Sequence, residues 1–104
     1  MLKEIETHRE QIAELCRRYG VKRLELFGSA ARGRDFQPGH SDIDFLVDFN
    51  ADEPPTLEHF LDLESRLSDL LGRPVDVISR SAVERSRNYI RRRSILRDAQ
   101  AVYG

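Results

Sequence analysis

Two aspartates separated by one residue carry the clearest chemical signal in this sequence. Asp42 and Asp44 open the run from Asp42 to Phe49 (DIDFLVDF), whose alternation predicts a β-strand. Side chains two residues apart on a strand project to the same face, so both carboxylates would share one side. Such a pair resists joint ionisation unless a cation lies between its members, and its oxygen atoms suit Mg²⁺ or Mn²⁺. Taken alone, the pair is more often a solvated strand end.

The residues before this pair could bind a phosphate group. Gly28 and Ser29 follow the strand-like segment VKRLELF, and twelve residues separate Ser29 from Asp42. A glycine lets the backbone approach a phosphate closely, a serine hydroxyl adds a donor, and amides at the start of a helical turn favour an anion. The alternative is an ordinary turn that ends a strand.

A third carboxylate lies in a short strand further along the chain. Asp76 alternates with Val75 and Val77 in PVDVIS, so it leaves the sheet on the face opposite to the valines. Three carboxylates on two neighbouring strands could bind two divalent ions, and Asp76 could also accept the proton of an attacking hydroxyl. The alternative is an aspartate on the polar face of a half-exposed strand.

The surrounding pattern predicts a small α/β (α+β) fold in a single domain spanning residues 1–104. Helices are predicted at 3–19, 57–71 and 83–103, and strands at 21–27, 42–49 and 74–79. Thr56 and Gly72 are suitable caps for the second helix. The apolar residues of that helix are predicted to face the core: Leu57, Phe60, Leu61, Leu67, Leu70 and Leu71. We therefore expect a mixed sheet of about three strands flanked by helices.

Composition excludes several classes of protein. The 104 residues are 39% hydrophobic and 34% charged, which suits one small soluble domain. No apolar run has the length of a membrane helix, and the first residues lack a signal-peptide pattern, so we expect a cytoplasmic protein without membrane contact. The single cysteine, Cys16, excludes an internal disulfide and a thiolate zinc site.

The net charge of −1 conceals two segments of opposite sign. Residues 35–65 hold nine acids and no Lys or Arg, whereas residues 80–98 hold seven arginines against two acids. An acidic middle could hold cations, and a basic C-terminal region could meet phosphate or an acidic partner; both could equally be solvated surfaces. Because no aromatic residues are interleaved with Arg91, Arg92 and Arg93, nucleic acid is not the expected partner.

Together these segments resemble the minimal nucleotidyltransferase (MNT) family of the DNA polymerase beta-like superfamily. The matching segments are residues 26–49 (LFGSAARGRDFQPGHSDIDFLVDF), the strand PVDVIS and residues 90–103. The resemblance implies a polymerase beta-like nucleotidyltransferase fold over nearly the whole chain. The spacer between Ser29 and Asp42 is longer than the commonest family pattern, which leaves the geometry of the site entrance open.

The resemblance also implies roles for individual residues. Gly28 and Ser29 would hold the β- and γ-phosphates of the nucleotide, and Arg32 would touch phosphate. Two Mg²⁺ ions would be coordinated by Asp42 and Asp44. The third carboxylate, Asp76, would bind the catalytic metal and help to deprotonate the acceptor hydroxyl.

The implied activity is transfer of AMP from ATP to a hydroxyl, with release of pyrophosphate. Small relatives commonly act as antitoxins of HEPN-type ribonuclease toxins, so such a toxin is the expected partner and one of its tyrosines the expected acceptor. The expected single domain leaves no second domain to bind an acceptor, which agrees with a partner that supplies it. Candidates for that interface, or for formation of a homo-oligomer, are Tyr89, Ile95, Leu96, Val102 and Tyr103.

Two other functions remain open from the sequence. An antitoxin could neutralise its toxin by binding alone, with the three carboxylates idle. Alternatively, the chain could be a small-molecule nucleotidyltransferase that acts on an aminoglycoside-like hydroxyl.

Overall fold

A four-stranded mixed β-sheet organises the computed structural model, which describes residues 2–28, 42–52 and 55–104. Its helices are α1 (Lys3–Thr7), α2 (Arg9–Arg18), α3 (Leu57–Leu71), α4 (Arg80–Glu84) and α5 (Tyr89–Asp98). Its strands are β1 (Val21–Phe27), β2 (Ile43–Phe49), β3 (Val75–Ser79) and β4 (Gln100–Tyr103). The strand order is β3-β2-β1-β4, with β2 and β3 parallel and the other two pairs antiparallel. The predicted mixed sheet flanked by helices is confirmed, with four strands where about three were expected.

The C-terminal region differs from its prediction. Instead of one helix to residue 103, the chain forms α4, α5 and then β4, which pairs with β1. Val102 is buried in the core and Tyr103 packs against it, so neither offers the exposed apolar surface predicted for an interface. Short apolar runs suit a helix or a strand, and here pairing with β1 decides between them.

Helices cover both faces of the sheet. On one face α1, α2 and α3 bury a large cluster that includes Ile5, Ile12, Cys16, Phe45 and Leu67. On the other face α4 and α5 pack over a smaller cluster built on Phe27, Leu46 and Val83, with Ile95 and Leu96 partly buried against it. The smaller cluster adjoins the strand ends that carry the predicted site residues. No helix in the described ranges is long and apolar enough to cross a membrane.

Helix α3 begins and ends at the predicted residues. Thr56 Oγ1 accepts a hydrogen bond from the backbone N–H of His59 at 3.1 Å, which caps the first turn. Gly72 adopts the left-handed conformation with φ of 69° and ends the helix.

The predicted core face of α3 is only partly correct. Leu67 and Leu71 are buried as expected, but Leu57 and Leu61 are 74% and 50% exposed. They lie on the side of α3 that also carries Glu64, whose Oε2 accepts a hydrogen bond at 2.9 Å from Val77 N–H on the outer strand β3. That side of the helix therefore faces the sheet edge rather than the sheet face.

Candidate active site

The strand register brings the predicted carboxylates to one end of the sheet. Asp44 of β2 pairs with Asp76 of the parallel strand β3 and, on its other side, with Phe27 at the end of β1. Adjacent strands lie about 4.8 Å apart, and side chains in register share a face. Asp42 immediately precedes β2 and is exposed. The prediction that Asp76 leaves the sheet opposite Val75 and Val77 is confirmed, because both valines are buried and Asp76 is exposed.

Gly28 lies directly against the central carboxylate. It follows β1 with φ of 76°, a left-handed conformation that glycine adopts without the strain a side chain would add. A Cβ atom at this position would lie 2.8 Å from Asp44 Oδ2. The absence of a side chain at Gly28 therefore leaves the space in which the Asp44 carboxylate sits.

The ionised form of Asp44 is disfavoured both by burial and by two neighbouring carboxylates. Burial, together with the negative charges of Asp76 and Asp42, raises the pKa of the Asp44 carboxyl to about 6. Burial makes the larger contribution. A cation beside these three carboxylates would offset both effects, since it attracts the ionised forms.

The residues present fit a divalent cation by the chemistry of their donors. Hard oxygen ligands and accumulated negative charge are what Mg²⁺ requires, and carboxylates of two adjacent strands supply both. Among the described residues, no three Asp, Glu, His or Cys side chains are already gathered as a complete ligand set. A metal would therefore draw its remaining ligands from water or from substrate phosphates, as magnesium usually does.

Two predicted phosphate ligands, Ser29 and Arg32, lie outside the described residues, as does the spacer at 30–41. Their roles stay predictions. What the structure places is the glycine that precedes them, at the end of β1 beside Asp44.

Near the end of β1 lies a buried ion pair that the sequence did not predict. Glu25 of β1 is only 7% exposed, and its Oε1 accepts a hydrogen bond from Arg80 Nη1 at the start of α4. Glu25 pairs in register with Leu46, so the ion pair attaches α4 to the same sheet region as the smaller cluster. A single acid in a strand pattern is more typical of a solvent-facing position, so the sequence offered little signal for this pair.

Comparison with known proteins identifies the family. A sequence model of the nucleotidyltransferase domain matches residues 8–102. The chain belongs to the nucleotidyltransferase domain family. The protein adenylyltransferase MntA of Thermococcus cleftensis is 39% identical over 87 residues, covering 80% of this chain and 81% of that protein. A Methanocaldococcus jannaschii protein provisionally assigned as a protein adenylyltransferase is 42% identical over 82 residues, covering 79% of this chain and 78% of that protein.

Solved structures agree with this nucleotidyltransferase assignment. A protein provisionally described as a minimal nucleotidyltransferase is 35% identical, with a TM-score of 0.72 over 92% of this chain and 90% of its own. A toxin–antitoxin structure with AMP-PNP is 19% identical, with a TM-score of 0.68 over 92% of this chain and 73% of that one. At that identity the likeness shows the shared fold. The resemblance to minimal nucleotidyltransferases, drawn from the sequence motifs, is confirmed.

Proposed function

We propose that this nucleotidyltransferase transfers AMP from ATP to a hydroxyl group, most specifically a tyrosine, of a partner HEPN-type toxin in the cytoplasm, in a magnesium-dependent reaction that makes it an antitoxin. The observation that carries this proposal is the placement of Asp44 and Asp76 on adjacent strands beside Gly28. The name of the Thermococcus cleftensis relative supports transfer to a protein. A fold neighbour solved as a complex of a tri-AMPylated Shewanella oneidensis HEPN toxin with its MNT antitoxin supports the choice of partner.

The phosphate groups of ATP would lie at the β1 end. Gly28 allows close approach of the backbone, and the hydroxyl of Ser29 and guanidinium of Arg32 would bind the β- and γ-phosphates. This arrangement would place the α-phosphate over β2, next to Asp44.

Asp42, Asp44 and Asp76 would hold two magnesium ions. Bound magnesium supplies charge neutralisation for the triphosphate and for the departing pyrophosphate. With its pKa at about 6, Asp44 is mostly ionised at pH 7 and can act as a ligand. Asp42 is exposed and would add a second carboxylate ligand.

Asp76 would take the proton of the acceptor. As that proton leaves, the acceptor oxygen forms a bond to the α-phosphorus of ATP, and the bond from that phosphorus to the bridging oxygen of pyrophosphate breaks. Entering and leaving oxygens lie on opposite sides of the phosphorus in such a displacement. Asp76 is exposed and lies on the outer strand β3, so a protein acceptor can reach it.

Label transfer from α-labelled ATP tests this proposal. The purified protein, Mg²⁺ and a candidate HEPN toxin are incubated beside the variants Asp44→Asn and Asp48→Asn. Asp48 is the matched control, because it lies on β2 four residues away and pairs with Arg23 instead of a carboxylate. We expect a labelled toxin band with the wild type and Asp48→Asn, and loss of label with Asp44→Asn or after addition of EDTA.

The other outcomes separate the remaining functions. Equal labelling by Asp44→Asn and the wild type would overturn the assignment of the metal site. If no protein is labelled, yet the toxin is still inhibited by the Asp44→Asn variant, the chain neutralises by binding alone. Transfer of label to an aminoglycoside in place of a protein would instead establish a small-molecule nucleotidyltransferase.

A further inference from the structure

A small cavity opens between β3, α4 and α5. Its volume is about 140 Å³, and its walls include Ile78 of β3, Ala82 and Val83 of α4, and Arg91 and Ile95 of α5. An apolar cavity of about 150 Å³ can hold benzene, so this space is large enough for one aromatic ring or one branched aliphatic side chain.

The cavity adjoins Asp76 along the same strand. Ile78 follows Asp76 by two residues on β3, so their side chains project from the same face about 7 Å apart. Asp76 lies at the open end of that face, whereas Ile78 packs against the smaller cluster under α4 and α5. A segment that brings a hydroxyl to Asp76 would therefore pass the mouth of the cavity.

The cavity lies on the side of the sheet from which the acceptor hydroxyl would approach the α-phosphorus. The β- and γ-phosphates would lie at Gly28, after β1, and β2 separates β1 from β3. Because the attacking oxygen enters opposite the leaving pyrophosphate, it would approach Asp44 from the β3 side. The strand residue that lines the cavity, Ile78, belongs to β3.

Two arginines give the cavity rim a positive charge. Arg92 also lines the cavity, and its Nη1 donates a hydrogen bond at 2.9 Å to the carbonyl oxygen of Ser86, which holds this side chain across the rim. Arg91 is exposed, and its backbone N–H is capped by Asn88 Oδ1 at 3.1 Å. Within the described ranges the Arg91 guanidinium forms no salt bridge, so its charge is available to a carboxylate of a partner.

We infer that this cavity is the acceptor subsite: it seats one apolar side chain of the partner protein beside the accepting hydroxyl, while Arg91 pairs with an acidic residue of the same segment. The inference rests on the proposed transfer of AMP to a protein. Helices α4 and α5 would then select the acceptor. The recognised segment would carry a hydroxyl residue flanked by an apolar and an acidic side chain. An adenine ring is the competing occupant, since it is also flat and could stack on a guanidinium.

Filling the cavity distinguishes these occupants. Ala82→Phe adds a ring inside the space without removing a buried side chain, because Ala82 is exposed at the rim. Ser65→Phe adds the same ring to an exposed position of α3 and serves as its control. Arg91→Glu reverses the rim charge, and Arg93→Glu makes the same change on α5 beside Tyr89, outside the cavity. Each variant is assayed for transfer to the HEPN toxin that the wild type labels, for the Kd of ATP and for thermal unfolding.

We expect Ala82→Phe to raise the KM for the acceptor protein by about 10- to 200-fold, the range for an altered contact in an apolar pocket. Arg91→Glu should raise the same KM by about 10-fold or more, because two like charges would then face each other. The Kd of ATP and the melting temperature should match those of the two controls. A rise in the Kd of ATP equal to the loss of transfer would show that the cavity holds adenine. An unchanged KM in both variants would also overturn the inference while leaving the proposed function in place. If the wild type labels no protein, the proposed function fails, and the acceptor subsite fails with it.

Discussion

A Cβ atom on Gly28 would lie 2.8 Å from Oδ2 of Asp44, closer than side-chain atoms tolerate. The glycine at the end of β1 and the carboxylate at the start of β2 are therefore fitted to each other, although fifteen residues separate them. A methyl group at Gly28 would therefore change the position of the Asp44 carboxylate as well as the local backbone.

Gly28→Ala should reduce both stability and nucleotide transfer. The left-handed φ of 76° predicts a loss of about 1 kcal/mol or more in the free energy of unfolding, and displacement of Asp44 predicts weaker ATP binding with Mg²⁺. Gly72→Ala is the matched control, since its φ is 69° but nothing lies within 4 Å of a Cβ there. Urea unfolding and ATP titration of both variants measure the two effects. Equal loss of ATP affinity in both variants would contradict the fit between Gly28 and Asp44.

Asp44→Asn should change the pH dependence of stability in metal-free protein. Burial, with Asp76 and Asp42, raises the pKa of Asp44 from 3.8 to about 6, so the folded state binds this proton more tightly than the unfolded state. The stabilisation that this bound proton gives the folded wild type is complete below about pH 4, and it is lost as the pH rises through about 6. At pH 7 in EDTA we expect the variant to be more stable by about 1 kcal/mol, after allowance for solvent screening.

Urea unfolding between pH 4 and pH 7.5 measures this difference. Added Mg²⁺ should stabilise the wild type at pH 7 and leave Asp44→Asn almost unchanged, because the variant lacks the central ligand. Parallel stability curves for the two proteins in EDTA would show that the pKa of Asp44 is not raised in the folded protein.

Arg80→Met should destabilise the fold through the carboxylate that it leaves behind. The side chains of Arg80 and Glu25 are 20% and 9% exposed. Loss of the arginine leaves the Glu25 charge buried and unpaired, which should lower the free energy of unfolding by about 3 kcal/mol. Glu84→Gln is the control, because Glu84 lies 3.8 Å from the same guanidinium but is exposed, and we expect a change within about 0.5 kcal/mol. The double variant Glu25→Met/Arg80→Met should recover most of the loss in urea unfolding. Similar losses in Arg80→Met and Glu84→Gln would argue against a buried pair.

Cys16 should be inert to thiol reagents in the folded protein. It is fully buried in the large cluster, and burial raises the pKa of its thiol to about 12, so the reactive thiolate is scarce at pH 8. We expect a disulfide-exchange reagent to label Cys16 in guanidinium and to leave it unlabelled in buffer. Rapid labelling in buffer would mean that α2 opens far more readily than its packing indicates.

Local patterns were sufficient to predict where several residues of the candidate site lie on their own strands. The alternation DIDFLV predicts one shared face for Asp42 and Asp44 from local geometry alone. The same rule correctly separated Asp76 from its two valines. The caps of α3 were likewise predictable, because Thr56 and Gly72 satisfy backbone groups within a few residues of themselves. The motifs built on these residues also led to the correct family.

Only the tertiary structure decided which distant residues meet. Pairing of β2 with β3 places Asp44 beside Asp76, pairing with β1 turns the chain end into β4, and the position of α3 leaves Leu57 exposed. Glu25 and Arg80 form an ion pair although they are 55 positions apart in the sequence, and no local sequence pattern predicts that they meet. Periodicity reports which side of its own element a residue occupies, whereas contacts between elements depend on how the whole set of apolar faces is buried together.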